Sequence, residues 1–341
     1  MRSMDPPGLR PATRLPRPVV VGHRGAPAYR PEHTLASFEL AIDLGADLVE
    51  PDVVVSRDEA LVVRHERELS LTTDIATRRE FAHRRTTKLI GGRPRTDWFV
   101  EDFDLRELRS LRAVERLPHL RPANAAYDGH FGLVTLSEVI DLARRRSTPE
   151  RTIGVLVELS PGLGGVGRNL PRLIAAELRR TGAHAEGDAV MLQAFEPEAL
   201  RFLRHDLGDD GPRMIQLVDD TEDDDWFLTD QGLAEISTYA QGIGPSRRRV
   251  LVRGGRFESP SGTSDLVHRS HAAELDVFVW TLHPENAFLP PQLRRGGLPT
   301  GHGDAYSEAL QLLDMGVTGL IADAPDTSVR AVNDRALALA A

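Results

Sequence analysis

The sequence predicts an α/β protein, a (β/α)8 TIM barrel with an inserted segment after its second strand. Short apolar or β-branched runs alternate with segments of helical period along the whole chain, which is typical of repeated βα units and a parallel sheet. Eight of these runs are candidate strands, and no long linker separates them. An active site is then expected at the carboxyl ends of the strands. An open, doubly wound sheet is the second candidate.

The eight strands and the helices between them follow one another in regular order. The candidate strands are Val19–Gly22, Asp47–Val55, Ile153–Leu159, Ala189–Gln193, Arg213–Val218, a short run around Ile243, Asp276–Leu282 and Val317–Ala322. The candidate helices are Thr34–Leu44, Asn169–Arg180, Pro197–Arg204, Gly232–Gln241, Ser264–Glu274 and Tyr306–Met315. Thr34 is a suitable N-cap for the first helix, and Gly45 stands where that helix would end.

The βα rhythm stops between residues 72 and 136. This segment holds Gly91-Gly92, Trp98 and a helical piece at Asp102–Leu111, and it is too long for a plain loop. We expect an insertion folded over one end of the barrel, where a substrate mouth would lie. A separate acidic run, Asp219–Asp225, is expected to be a solvated loop and is left out of the site.

The composition of the chain excludes several classes of protein and of site. At 341 residues the chain can form one large barrel, and no apolar run approaches the ~18 residues of a membrane span. The formal charge of -9 argues against general binding to nucleic acid or anionic membranes. Because the chain has no cysteine, disulfides, thiolate metal sites and cysteine nucleophiles are excluded, so any metal would have oxygen or nitrogen ligands.

The amino-terminal residues 1–18 are rich in proline and arginine and lack the apolar region of a secretory signal. We expect a flexible arm there, followed by one catalytic domain over residues 19–335. A cytoplasmic location is expected from the chain as given, with secretion left open. The sequence does not indicate the oligomeric state.

Three carboxylates stand at predicted strand ends. Glu50 and Asp52 alternate with Pro51, so both project to one face of the second strand, and Glu158 ends an otherwise apolar strand. Carboxylates beside apolar neighbours are costly unless a cation neutralises them, and three carboxylates without a thiolate suit one Mg²⁺ or Ca²⁺ ion. The alternative is an ion-pair network of these carboxylates with Arg24, Arg57 or Arg64.

Two histidines accompany this acidic group. His23 follows the first strand directly, and His65 ends the run ALVVRH. Either one alone is more often a structural hydrogen-bonding residue. Beside a metal site, however, one could accept a proton from a nucleophile while the other protonates a leaving alkoxide. Arg24 offers a forked cation for a phosphate, and Glu32 could orient it or form a plain surface ion pair.

A formal G-x-G-x-x-G motif occurs at Gly162, Gly164 and Gly167, after a strand and before a helix. The dinucleotide-binding fingerprint also needs an acidic residue at the end of the next strand, but Glu186 and Asp188 precede that strand. We therefore expect a strand-to-helix loop at the mouth rather than a cofactor site.

An ordered set of motifs closely resembles the glycerophosphodiester phosphodiesterase family. The matching pieces are GHRG, PEHT, ADLVEPDVVVSRDEALVVRHE, LSLTTD, VLVELS, LQAFEPEAL, VFVWTL and LLDMGVTGLIADAPD, which together cover most of residues 19–330. The resemblance implies a (β/α)8 barrel with an insertion after the second strand. It also implies hydrolysis of a small-molecule glycerophosphodiester to glycerol 3-phosphate and an alcohol, with a divalent cation.

The same resemblance implies roles for individual residues of the reaction centre. His23 and His65 would form the acid/base pair, and Glu50, Asp52 and Glu158 would hold the metal.

The resemblance extends to residues that would bind the substrate. Arg24 would bind the phosphate, with Glu32 supporting its loop, while Gln193, Phe195 and Trp280 match positions that line the family's substrate cleft.

Three positions depart from the family's usual pattern. His33 replaces an asparagine near the site, and His283 replaces another after the strand VFVWTL. The usual lysine two residues after the glutamate of the third-strand motif is Ser160 here, so a positive charge facing the phosphate is missing. Two alternatives therefore stay open: a lysophospholipase D-like lipid phosphodiesterase, and a catalytically weakened protein that binds glycerophosphodiesters.

Overall fold

The structure, a computed structural model, describes residues 15–160, 169–185, 189–251 and 264–340. In chain order the strands are β1 (Val19–His23), β2 (Leu48–Glu50), β3 (Asp52–Val55), β4 (Leu61–Val63), β5 (Thr86–Ile90), β6 (Arg93–Asp97), β7 (Gly154–Leu159), β8 (Val190–Ala194), β9 (Arg213–Val218), β10 (Gly242–Pro245), β11 (Asp276–Leu282) and β12 (Gly319–Ala322). The helices are α1 (Leu35–Asp43), α2 (Leu105–Leu108), α3 (Pro122–Ala125), α4 (Leu136–Arg146), α5 (Leu170–Thr181), α6 (Pro197–Leu207), α7 (Asp230–Ile236), α8 (Arg247–Val250), α9 (Leu266–Ala272), α10 (Ala305–Asp314) and α11 (Pro325–Ala340).

The parallel strands close into an eight-stranded barrel, which confirms the predicted (β/α)8 fold. The sheet runs β2-β1-β12-β11-β10-β9-β8-β7-β3, and the pairing of β2 with β7 closes the ring. The second barrel strand is divided into β2 and β3 at Pro51, which has no N–H to donate to a neighbouring strand. Both pieces pair with β7, and Asp52 lies in register beside Glu158.

Side-chain alternation explains how the barrel interior becomes polar at one end. Val19, Val21, Leu48, Leu156, Ile215, Phe278 and Ile321 form an apolar cluster on the inward faces of the strands. The next residues of the same parity are His23, Glu50, Glu158 and Asp323. The carboxyl ends of the strands therefore bring histidine and carboxylate side chains together above an apolar floor.

The described residues of the predicted insertion, 72–136, contain the β5–β6 hairpin, α2, α3 and several 3-10 turns. They have a small core of their own, in which Phe99 and Phe103 are fully buried and Trp98 is nearly so. Val54 of β3 and Val62 of β4 belong to this second cluster. The insertion is thus packed against the barrel through β3 and β4.

Four of the described helices are absent from the sequence-based list: the one-turn helices α3 and α8, and the longer helices α4 and α11. Helix α4 begins with a capping box in which Thr135 and Glu138 satisfy each other's backbone groups. That T-x-x-E pattern was visible in the sequence, although it lay at the edge of the insertion. Helix α11 starts at Pro325 and runs to Ala340, five residues past the expected domain end at 335.

Two segments outside the barrel had specific expectations. Most of the amino-terminal arm lies outside the described residues, but Leu15 packs beside the apolar cluster inside the barrel and Arg17 pairs with Asp47. The acidic run Asp219–Asp225 is mostly exposed, and Arg249 Nη1 lies 2.5 Å from Asp225 Oδ1. The acidic run therefore faces solvent and pairs with an arginine, as expected for a solvated loop.

Candidate active site

A cavity of about 330 Å³ opens at the carboxyl ends of the strands. Most of the residues predicted for the site line it: His23, Arg24, Glu32, His65, Glu158, Gln193, Phe195 and Trp280. Glu50 and Asp52 are 0% and 1% exposed and lie behind Arg24, which contacts both. One cavity therefore brings together residues from positions 23 to 280 of the chain.

The carboxylates of Glu50, Asp52 and Glu158 are close enough to perturb one another. Burial, followed by the charge of Asp52, raises the pKa of Glu50 and of Glu158 well above its ordinary value. Burial opposes ionisation of Asp52 as well, but Arg24 holds the pKa of Asp52 well below its usual range. Without a cation, this group therefore keeps one carboxylate ionised and favours protons on the other two.

The donor set fits a divalent cation. One donor atom each from His33, Glu50 and Asp52 lies within 4.8 Å of the others. Among the residues that the structure describes, Glu50 Oε1 is buried without a hydrogen-bond partner. A buried oxygen without a donor is costly unless a cation or proton satisfies it, and carboxylate oxygens are the ligands that Mg²⁺ and Ca²⁺ prefer.

His33 lies beside Glu50 and Asp52, although the sequence assigned it no role. The backbone N–H of Asp52 donates to His33 Nε2 at 3.2 Å, while Nδ1 lies 3.6 Å from Glu32 Oε1. Burial lowers the pKa of His33 and favours the neutral ring, whose proton lies on Nδ1 because Nε2 accepts the Asp52 N–H. Its φ of 56° is in the left-handed region, where asparagine is also common.

Arg24 is the main cation facing the carboxylates. Its backbone N–H donates to Glu50 Oε2 at 2.9 Å, and its guanidinium lies 3.0 Å from Asp52 Oδ2 and 3.2 Å from Glu32 Oε1. The turn that aims it depends on Gly25, whose φ is 97° and whose hypothetical Cβ would lie 2.4 Å from Ser37 Oγ. The ion-pair network expected as the alternative to a metal is thus partly present.

Arg57 and Arg64, the other candidate partners for the carboxylates, point elsewhere. Arg57 pairs with Asp104, and Arg64 donates to Thr72 Oγ1 at 2.8 Å. Arg24 is therefore the candidate arginine that contacts the carboxylate group.

His23 is held by Asp323, a carboxylate that sequence reasoning missed. His23 Nδ1 and Asp323 Oδ1 are 2.6 Å apart. Burial opposes ionisation of Asp323, but His283 and Arg121 keep its pKa well below the usual range, so Asp323 accepts a hydrogen bond from His23 Nδ1–H. Burial and the neighbouring Arg24 lower the pKa of His23 to about 4, against the pull of Asp323. The neutral ring therefore has Nε2 free to accept a proton.

His65 lies at the outer edge of the same cavity, with its side chain 41% exposed. Its Nδ1 is 2.8 Å from Glu66 Oε1. Burial opposes ionisation of Glu66, but His65 and Arg116 hold its pKa well below the usual range. The two predicted histidines thus line one cavity, and each has a carboxylate at Nδ1.

Residues of the insertion complete the cavity wall. Arg116 and Arg121 line it, and both make short ion pairs with carboxylates of the barrel loops. No sequence motif marks either arginine among the many in the chain. Their role depends on tertiary contacts across long sequence separations.

An aromatic wall faces the polar group. The rings of Phe195 and Trp280 meet edge to face with centroids 5.7 Å apart, and Trp280 Nε1 donates to the Gly244 carbonyl at 2.7 Å. Gln193 Nε2 donates to Glu158 Oε2 at 2.8 Å. The predicted cleft residues are therefore both walls and supports of the metal-ligand candidates.

The other two departures from the family pattern, Ser160 and His283, have different surroundings. Ser160 Oγ lies 3.3 Å from the His65 carbonyl, so its hydroxyl supports the loop of His65. His283 donates from Nδ1 to Asp323 Oδ2 at 2.8 Å and stacks on Phe288 at 4.2 Å. The glycine motif at Gly162, Gly164 and Gly167 lies outside the described residues.

Comparison with protein families and with curated proteins gives a consistent result. The model of the glycerophosphoryl diester phosphodiesterase family matches residues 23–327. A glycerophosphodiester phosphodiesterase of Arabidopsis thaliana is 30% identical over 92% of this chain and 86% of its own length. The glycerophosphodiester phosphodiesterase of Haemophilus influenzae is 26% identical over 91% of this chain and 88% of its own.

Solved structures support the fold. A glycerophosphoryl diester phosphodiesterase from Silicibacter pomeroyi superposes with a TM-score of 0.68 at 21% identity, covering 94% of this chain and 95% of that one. An Oleispira antarctica phosphodiesterase, solved with its product sn-glycerol-3-phosphate, gives a TM-score of 0.62 at 21% identity over 93% and 97% of the two chains. Within the described residues, no helix has both the length and the apolar character to cross a membrane.

Proposed function

Because the chain belongs to the glycerophosphoryl diester phosphodiesterase family, we propose that it cleaves its substrate with one divalent cation and an acid/base pair of histidines. The protein is an enzyme, a glycerophosphodiester phosphodiesterase, as its curated relatives are. The proposed products are glycerol 3-phosphate and an alcohol. His23, His65 and Glu158 line one cavity, and Glu50 and Asp52 lie buried behind Arg24 at its wall. This grouping is the observation that carries the mechanism.

Glu50, Asp52 and Glu158 are the proposed ligands of Mg²⁺ or Ca²⁺. Ligand atoms of Glu50, Asp52 and His33 lie close together, and Glu158 lies in register beside Asp52 on the neighbouring strand. The raised pKa of Glu50 and Glu158 supports this assignment, because a cation would displace those protons and let all three carboxylates ionise. When bound, the cation would neutralise charge on the phosphodiester. Arg24 would bind the same phosphate through its fork, and Glu32 fixes the guanidinium at 3.2 Å.

His23 is the proposed general base. With its proton on Nδ1 toward Asp323 and a pKa of about 4, it is neutral near pH 7 and accepts a proton at Nε2 from the nucleophile. That nucleophile is water or the neighbouring hydroxyl of glycerol, which would give a cyclic phosphate that water then opens. His65 is the proposed general acid: with Nδ1–H directed at Glu66, its doubly protonated ring donates the Nε2 proton to the departing alkoxide.

We also propose that residues 19–335 act as one catalytic domain and that the insertion, about 72–136, belongs to it. Arg116, Leu117 and Arg121 of the insertion line the same cavity as the barrel residues. The wall of Phe195 and Trp280 would then face the glycerol or the alcohol of the substrate.

The test is release of glycerol 3-phosphate from glycerophosphocholine and glycerophosphoethanolamine, with lysophosphatidylcholine as the competing substrate. Turnover of the two small diesters, with little cleavage of the lysolipid, is expected. Preferential cleavage of lysophosphatidylcholine would instead favour the lysophospholipase D-like alternative. Binding of the diesters without release of product would favour a weakened binding protein.

A further inference from the structure

The segment 116–121 of the insertion carries two arginines, and each contacts a carboxylate that holds one of the two histidines. Arg116 and Arg121 reach opposite sides of the same cavity. The proposed mechanism assigns no role to either arginine. Their contacts nevertheless have the same pattern, an arginine bound to a carboxylate that is bound to histidine Nδ1.

The first chain of contacts ends at His65. Arg116 Nη1 lies 2.5 Å from Glu66 Oε1 and Nη2 lies 2.7 Å from Glu66 Oε2, so the fork grips both oxygens. Glu66 Oε1 in turn lies 2.8 Å from His65 Nδ1. Arg116 also binds Glu32, with Nε and Nη2 each 2.6 Å from a carboxylate oxygen. The His65 side chain is 41% exposed, so little packing holds its ring. Among the described residues, the contact with Glu66, which Arg116 grips, holds the ring in place.

The second chain of contacts ends at His23. Arg121 Nη2 lies 2.5 Å from Asp323 Oδ2, and Asp323 Oδ1 lies 2.6 Å from His23 Nδ1. Arg121 is anchored further by Glu285 Oε1 at 2.6 Å and the Pro27 carbonyl at 2.9 Å. All of its contacts are to residues of the barrel loops. A residue of the insertion thus fixes the carboxylate that orients the histidine at the end of β1.

We infer that Arg116 and Arg121 are positioning residues, through which the insertion sets the tautomer and orientation of both histidines. Each arginine keeps its carboxylate ionised and in place. Each carboxylate accepts a hydrogen bond from Nδ1–H, which leaves Nε2 of both rings facing the cavity. This inference rests on the proposed function, since it gives the insertion a part in the same two-histidine chemistry.

Energetics favour this interpretation over a purely structural one. The Arg121 and Asp323 side chains are 5% and 4% exposed. Burying two charges costs desolvation free energy, and their mutual attraction often recovers only that cost, whereas two packed apolar side chains would not have it. An insertion that only covered the barrel would be held as well by apolar contacts, such as those of Trp98 and Phe103. The buried Arg121 and the partly buried Arg116 are each one carboxylate away from a histidine, which points to orientation of those histidines.

The test measures histidine tautomers directly, without substrate. Nitrogen-15 NMR of histidine-labelled protein distinguishes the Nδ1–H from the Nε2–H form, and His23→Gln and His65→Gln assign the two signals. In the wild type, Nδ1 should carry a proton on both rings. Arg116→Met should convert His65 to a mixture and leave His23 unchanged, while Arg121→Met should do the reverse. Each should lower kcat about tenfold to hundredfold with a smaller change in KM.

The matched control is Arg109→Met, an insertion arginine that is 50% exposed and pairs with Glu138 at 3.2 Å. It should change neither tautomers nor kcat. Arg121→Lys keeps a cation beside Asp323 and serves if Arg121→Met does not fold, with an intermediate tautomer shift expected. Unchanged Nδ1–H forms in folded Arg116→Met and in either Arg121 variant would overturn the inference. An inactive wild type with the expected tautomer changes would contradict the proposed function alone.

Discussion

Glu50 and Glu158 destabilise the cation-free fold when they ionise, although the proposed activity requires both of them to be ionised ligands. Burial and the neighbouring charge of Asp52 raise the pKa of both carboxyls. Above the ordinary glutamate pKa of 4.5, the folded cation-free protein holds protons that the unfolded chain has released. The free energy of unfolding therefore decreases as the pH rises above that value. A bound cation would remove this cost.

Glu50→Gln should consequently have two opposite effects. At pH 7.5 it should raise the Tm of the chelator-treated protein, because it removes a buried carboxyl whose pKa is raised and whose ionisation opposes folding at that pH. It should also abolish the Tm increase that Mg²⁺ or Ca²⁺ gives the wild type. Differential scanning calorimetry measures both effects, with exposed Glu39→Gln as the control. A variant that keeps the full cation-induced increase would remove Glu50 from the ligand set.

His23 predicts a second pH dependence, of the opposite sign. Its pKa is about 4 in the folded protein against 6.5 for an ordinary histidine, so the unfolded chain binds the proton first as the pH falls. Its contribution to stability is intact above pH 6.5 and is lost toward pH 4. By pH 5 this group costs about 2 kcal/mol of unfolding free energy.

Urea unfolding at pH 7 and pH 5 tests this dependence. The wild type should lose about 2 kcal/mol more between the two pH values than His23→Gln does, because the other titrating groups are common to both proteins. Equal losses would mean that His23 is not held neutral by burial.

At the residue scale, the site residues that could be predicted from the sequence are those that strand periodicity or a motif marks. Glu50, Asp52 and Glu158 follow from alternation at strand ends, and His23 from its place after β1. Asp323 ends a strand in the same way, yet its partner is 300 residues away. Nothing local indicates such a contact.

At the scale of elements, the insertion depends on its own small core. Phe103 is fully buried there, in a cluster that includes Val54 of β3 and Val62 of β4. Phe103→Ala should lower the free energy of unfolding by about 3–5 kcal/mol, because it leaves a cavity that this small core cannot fill. It should also lower activity, since Arg116 and Arg121 are carried by the same segment.

Chemical denaturation compares Phe103→Ala with Phe202→Ala, whose side chain is on the surface and 36% exposed. The surface variant should stay within about 0.5–1 kcal/mol of the wild type. Equal stabilities for the two variants would show that the insertion does not depend on this core.

The same scale shows what sequence patterns miss. The eight barrel strands were predicted because buried parallel strands are continuous apolar runs. The β5–β6 hairpin was not, since its residues Thr86–Asp97 are mostly polar and exposed and only the turn at Gly91-Gly92 marks it. Helix α4 was overlooked because its capping box lies where the insertion ends.

At the scale of the whole molecule, the negative charge of the chain is a reason to expect that a cation helps to bind the anionic substrate. The chain carries a formal charge of -9, and around the cavity the arginines Arg24, Arg116 and Arg121 are each engaged by carboxylates. An anionic phosphodiester would meet net repulsion in such surroundings. A divalent cation held by Glu50, Asp52 and Glu158 would reverse the local sign where the phosphate must bind.

The most direct test of this account is the release of glycerol 3-phosphate from glycerophosphocholine by four samples of the protein. The wild type with Mg²⁺ or Ca²⁺ should turn over, and chelation should abolish turnover until the cation is restored. His23→Gln and His65→Gln, each with the cation, should lose about 10²–10⁴ in rate while remaining folded. Hydrolysis at the wild-type rate after chelation, or by either histidine variant, would contradict the metal-assisted, two-histidine mechanism.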